Sequence, residues 1–99
     1  MIVAATTTDL MDRSRIGSSI PGVRFTLETA ADVVIVDLGR GAAQVAEIRG
    51  AMPTARIVCY GPHVDGDAAD AARAAGADVV LPRSRFFRDP AAAIEASEA

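Results

Sequence analysis

Ninety-nine residues, about half of them apolar, with a net charge of −3 and a single cysteine, leave room for one core. They exclude an internal disulfide and an all-cysteine zinc site, and the acidic balance argues against non-specific nucleic-acid binding, which needs a basic field. No apolar run approaches the ~20 residues of a membrane span, and no basic-then-apolar leader opens the chain. The expectation is one cytoplasmic domain over residues 1–99, with neither membrane nor nucleic-acid partners.

The predicted elements alternate. Residues 2–6 form a first strand, and a helix follows over about 9–19, opened by Asp9 with Asp12 three residues later. Pro21-Gly22 marks a turn. Val23-Arg-Phe-Thr-Leu27 alternates in period two and predicts a second strand with one polar face. The next strand begins only a few residues later, although a parallel crossover normally takes a dozen or more. Either the second strand is very short and a helical turn or extended segment replaces the crossover, or that strand does not join the sheet in the usual way. The shortened crossover, with the second helix reduced or missing, is the favoured reading.

Ala31-Asp-Val-Val-Ile-Val-Asp37 is a short apolar run that ends on a carboxylate and leads into a Gly-containing loop. Such a run reads as a strand buried on both faces. Asp37 then stands at the carboxyl end of a central strand, where open α/β sheets place their chemistry. A helix over 42–49 follows, terminated by Gly50 and Pro53, and Arg56–Tyr60 is another central strand. Asp65 or Asp67 caps a helix over 68–75, with Gly76 as the residue past its end. Asp78–Leu81 is a last strand, and Pro82 suits a strand end or an edge. Asp89-Pro90 opens a short final helix over about 90–97.

This order predicts a three-layer α/β domain, flavodoxin-like, with a five-stranded parallel sheet of order 2-1-3-4-5 and a reduced or missing second helix. Three pieces resemble the receiver (CheY-like) domains of bacterial two-component response regulators: Asp32–Asp37, Ala55–Tyr60, and Ala74-Ala-Gly-Ala-Asp78 leading into Val79–Leu81. The resemblance makes Asp37 the phospho-acceptor equivalent. It places the usual acidic pair on Thr6 and Thr7, a carbonyl metal ligand on Gly39, the switch hydroxyl on Gly61 and the lysine on Arg83.

Those departures carry a chemical meaning. Magnesium takes hard oxygen ligands, with one or two carboxylates typical, and threonines bring no negative charge. In-line phosphoryl transfer relies on that metal to neutralise developing charge. Gly61 brings no hydroxyl, and an arginine fork is not a lysine point charge. The resemblance thus implies a degenerate pseudo-receiver that is not an enzyme and needs neither cofactor nor metal.

A residual acceptor at Asp37 is one alternative. Another is a small anion- or nucleotide-binding domain using Gly39, Arg40, Gly61, His63 and Arg83. The expected partner is another protein or a second copy of the chain, met through the last strand and last helix. There Arg83, Arg85, Phe86, Phe87 and Arg88 interleave the residue types that interfaces favour. Cys59 lies in an apolar strand and reads as a small buried hydrophobe.

Overall fold

The computed structural model describes residues 1–27, 30–40, 42–61 and 66–95. Four strands, β1 (Val3–Ala5), β2 (Val33–Asp37), β3 (Arg56–Gly61) and β4 (Val79–Pro82), form one parallel sheet in the order β1-β2-β3-β4. The register pairs Ala5 with Ile35, Asp37 with Tyr60, and Gly61 with Pro82. Side chains alternate between faces along each strand. Val33, Ile35, Val58, Tyr60, Val79 and Leu81 therefore build one core, and Val34, Val36, Ile57, Cys59 and Val80 build the other. Burial on both faces is why these strands read as continuous apolar runs.

Helices α1 (Leu10–Ser19), α4 (Arg83–Phe86) and α5 (Pro90–Ala93) supply the first core. Helices α2 (Ala43–Ala51) and α3 (Gly66–Ala75) supply the second. A 3₁₀ turn, Leu38–Arg40, links β2 to the segment before α2.

The sheet has four strands and not five. Residues 23–27 touch it at one bridge, Arg24 beside Ala4. There Ala5 N–H donates to the Arg24 carbonyl at 2.7 Å, and Arg24 N–H donates to the Val3 carbonyl at 2.9 Å. The segment thus lies on the outer side of β1, as the order 2-1-3-4-5 demands, but it pairs at a single residue. β1 is only three residues long and offers little ladder to extend. Among the described residues no helix stands between Arg24 and Val33.

Several ends also move. Asp9 caps α1 as expected, accepting the Asp12 N–H at 2.9 Å. Gly50 does not stop α2, which runs on to Ala51. Of the two candidate caps of α3, Asp65 lies outside the described residues and Asp67 lies inside the first turn. The last helix closes at Ala93, and an additional helical turn, α4, occupies what reads as loop.

At the amino-terminal pole of the sheet, Arg49 ties two connections together, α2 to β3 and α3 to β4. Its guanidinium donates to the carbonyls of Met52, Pro53, Ala55 and Gly76 and to Asp78, at 2.7–3.4 Å. Asp78 also accepts the Ile57 N–H at 2.8 Å. Gly76 follows α3 at φ +123°, and a Cβ there would stand 2.8 Å from the Arg49 Cγ. Gly76→Ala is expected to cost about 1–3 kcal/mol, from backbone strain and the displaced Arg49 together. Urea unfolding measures it, and a loss below ~0.5 kcal/mol would contradict the clamp.

Candidate functional site

Parallel strands of one sheet end together, so the loops that follow them share one pole. β1 delivers Thr6 and Thr7 there, β2 delivers Asp37, β3 ends on Gly61, and β4 hands over to Arg83 at Pro82. Thr6 and Asp37 meet directly: the Asp37 N–H donates to Thr6 Oγ1 at 3.4 Å. Gly61 and Pro82 are register partners, which sets Arg83 one residue beyond β3. The residues chosen from the sequence therefore share one rim. Their partners differ from the expected ones.

Arg83 is bound to Asp12, not to Asp37. Its two terminal nitrogens donate to the two Asp12 carboxylate oxygens at 2.8 and 2.7 Å, a parallel fork. The cause is the first turn of α1. With Asp9 as cap, Asp12 falls on the inward side of the helix and is buried. Burial without a cation would be costly, and Arg83 supplies that cation. Arg83 holds the Asp12 carboxyl below the usual aspartate range, chiefly through its hydrogen bonds and then its charge, against the opposing effect of burial. The guanidinium in turn is held firmly charged, first by its hydrogen bonds to Asp12.

Tyr60 fills the interior of the rim. Its hydroxyl shares a 2.8 Å hydrogen bond with Thr7 Oγ1 and donates to Asp12 at 3.4 Å. Both Thr7 and Tyr60 are fully buried. Burial pushes the phenol well above its ordinary value, and the nearby negative charges of Asp37 and Asp12 add to this, while the Thr7 hydrogen bond opposes it. The ring stacks on Phe86 at 4.8 Å and meets Phe87 edge-on at 5.1 Å. Thr7, Tyr60, Asp12 and Arg83 form one connected polar network on an aromatic floor.

Asp37 stands half-buried beside this network. Its Oδ1 accepts the Gly39 N–H at 2.9 Å, closing the turn after β2. A Cβ on Gly39 would stand 3.0 Å from that same oxygen, so glycine keeps the turn tight. A Cβ on Gly61 would approach the Leu38 Cβ at 3.3 Å, so a serine or threonine there needs the turn to give way.

These donors do not fit a divalent cation. The Thr7 hydroxyl is taken by Tyr60, the Asp12 carboxylate by Arg83, and Thr6 faces the Asp37 amide. One carboxylate, Asp37, is left, and among the described residues no three His, Cys, Asp or Glu side chains gather to hold a metal.

The expected surface of interleaved arginine and aromatic residues needs correcting. Phe86 and Phe87 are both buried in the first core. The helical turn of α4 aims them inward at Tyr60, where their apolar area leaves water. Arg85 and Arg88 are exposed. His63 and the Arg40 side chain lie outside the described residues. Asp12 and Tyr60 are the members that sequence reasoning missed. The capping pattern did single out Asp12, but its partner lies 71 positions away.

No protein-family model matches the sequence, and no curated protein sequence matches it. Solved structures do. A response regulator from Burkholderia pseudomallei, crystallised with a phosphorylated aspartic acid, calcium ion and citrate, superposes with a TM-score of 0.78 at 17% identity, over 94% of this chain. The chain spans 65% of that protein's length. An orphan response regulator of H. pylori gives a TM-score of 0.77 at 18% identity, covering 96% of this chain and 93% of that one. A CheY-like protein, TadZ, from Pseudomonas aeruginosa gives 0.68 at 22% identity, covering 85% and 87%. At such identities the likeness is one of architecture, and by architecture this chain is a receiver-like α/β domain.

Proposed function

We propose that the chain is a receiver-like signalling module that acts through protein contacts and is not an enzyme of aspartyl phosphorylation. The observation that carries this is the commitment of Arg83 to Asp12. A cation held in a two-point fork by a buried carboxylate is not free to neutralise a phosphoryl group on Asp37. The acidic pair that would share a metal is replaced by Thr6 and Thr7, one of them locked to Tyr60. Phosphoryl transfer is mostly positioning and charge stabilisation, so losing the metal and the cation together removes most of its catalysis.

The partner side of the reading rests on the same fold. The exposed Arg85 and Arg88 leave the last helical segments charged, and a second copy of the chain or another protein would meet them there. With acetyl phosphate and Mg²⁺ in excess, intact-mass spectrometry is expected to find no stoichiometric adduct. Rapid, complete modification at Asp37 would refute the proposal and restore the acceptor reading.

A further inference from the structure

We infer that the cleft between α1 and the α4–α5 segment is a binding site for a phosphoryl-bearing anion. The cleft is an open groove of about 440 Å³ lined by Arg15, Arg83, Ser84, Phe87 and Arg88. An adjoining open groove of about 420 Å³, which shares Arg15, Phe87 and Arg88 with it, is lined also by Ser14 and Ser18 of α1. It shares Arg83 with the strand-end rim but does not involve Asp37, so modification of Asp37 would refute the reading above without removing this site.

Three features point to an anion. The first is charge. The chain as a whole is net negative, yet three arginines line this one cleft. Arg83 is offset by Asp12, which Arg15 also feels at longer range, whereas neither Arg15 nor Arg88 makes a close ion pair among the described residues. Asp89 is at the edge of the second groove, with one carboxylate oxygen accepting the Ala92 N–H at 3.2 Å as the cap of α5.

The second is preorganisation. The Arg15 guanidinium lies 4.5 Å from the centre of the Phe87 ring, and one of its nitrogens donates to the Phe87 carbonyl at 3.3 Å. Arg83 lies 4.9 Å from the same ring. A stacked and tethered arginine has lost much of its side-chain freedom already, so less remains to be lost when a ligand arrives.

The third is donor chemistry. Guanidinium forks match the paired oxygens of a phosphoryl group, and serine hydroxyls complete such a shell. The Phe87 ring lines the cleft but is largely buried beneath the arginines, so the ligand meets chiefly the guanidinium groups and the hydroxyls.

The test is an NMR titration of the full chain at constant ionic strength, with chloride as the matched control. The probes are inorganic phosphate, pyrophosphate and a short phosphoserine peptide. Saturable shifts are expected at residues 14–19 and 84–90 with phosphate and not with chloride. Arg15→Gln and Arg88→Gln are each expected to weaken binding at least fivefold. Arg73→Gln, an exposed arginine of α3 on the other face of the sheet, is expected to leave it unchanged. Arg15 and Arg88 are both exposed, and spectra unchanged away from the cleft establish that each variant is folded. Should Arg15→Gln disturb the α1 packing, Arg88→Glu alone must abolish the shifts.

A peptide binding tenfold tighter than phosphate identifies a phosphorylated partner protein as the source. Pyrophosphate binding tightest identifies a small free polyphosphate or diphosphate-bearing molecule. Linear, non-saturating shifts, or equal weakening by Arg73→Gln, would overturn the site.

Discussion

Arg83→Ala is expected to lower stability by about 2–3 kcal/mol at neutral pH, and by progressively less as the solution is acidified. Breaking a buried ion pair from one side costs about 3–5 kcal/mol, because the remaining charge is left unpaired. The Arg83 side chain is 37% exposed, so solvent screening brings the figure down. For a chain of this length the loss corresponds to roughly 10–20 °C in melting temperature.

The pH dependence follows from Asp12. Its carboxyl titrates lower in the folded state than in the unfolded chain. The stability it contributes is complete above the unfolded aspartate value of ~3.9, and is lost as the pH falls through the lower folded value. Without Arg83 the burial of Asp12 acts unopposed by that cation, so acidification relieves the variant while it destabilises the parent. The two urea curves are expected to converge between neutral pH and about pH 3. In an Asp12→Asn background the Arg83→Ala change is expected to cost little. A gap that stays constant with pH, or one that survives Asp12→Asn, would show that Arg83 serves mainly as packing.

The same pair marks the boundary of what the sequence discloses. Local patterns were sufficient wherever the cause is local. Val33–Val36 is buried on both faces, so its apolar run is continuous. Asp9 caps α1, Gly76 takes a positive φ after α3, and Asp89-Pro90 starts α5. Residues 23–27 misled because period-two alternation describes a chain able to pair, while pairing also needs a neighbour with a ladder to offer. β1 offers one bridge. Gly50 misled because it sits in α2 without a positive φ, where glycine only weakens a helix.

At the site, the convergence of Thr6, Thr7, Asp37, Gly61 and Arg83 follows from strand order and was legible. Which side chain takes which partner was not. The Arg83–Asp12 fork spans 71 positions, and the Thr7–Tyr60 bond spans 53. No spacing rule reaches that far. Phe86 and Phe87 looked exposed because their helical turn, which aims both at Tyr60, is too short to show a period.

Tyr60 is where those distant contacts meet, and its truncation should have the largest effect of any single change at the rim. Tyr60→Ala removes the ring from Phe86 and Phe87 and the hydroxyl from Thr7 and Asp12. Aromatic-to-alanine changes in a core cost about 3–5 kcal/mol, against a total stability of about 5–15 kcal/mol for a domain of this kind. Tyr60→Phe separates the two contributions. It keeps the stack and leaves the buried Thr7 hydroxyl without its phenol, which is expected to cost about 1–2 kcal/mol. Adding Thr7→Val should recover part of that loss, since an apolar pair replaces an orphaned polar group.

Tyr60 is the only tyrosine in the chain, so its phenolate absorbance reports this position alone. Its folded value lies above that of an unfolded tyrosine, near ~10. The corresponding stability is present below that pH and is lost as the pH rises beyond it. Phenolate is therefore expected to appear together with unfolding, and not before it. Ionisation near pH ~10 in a chain that is still folded, or a Tyr60→Phe variant as stable as the parent, would mean that the rim is open to water and the network does not hold it.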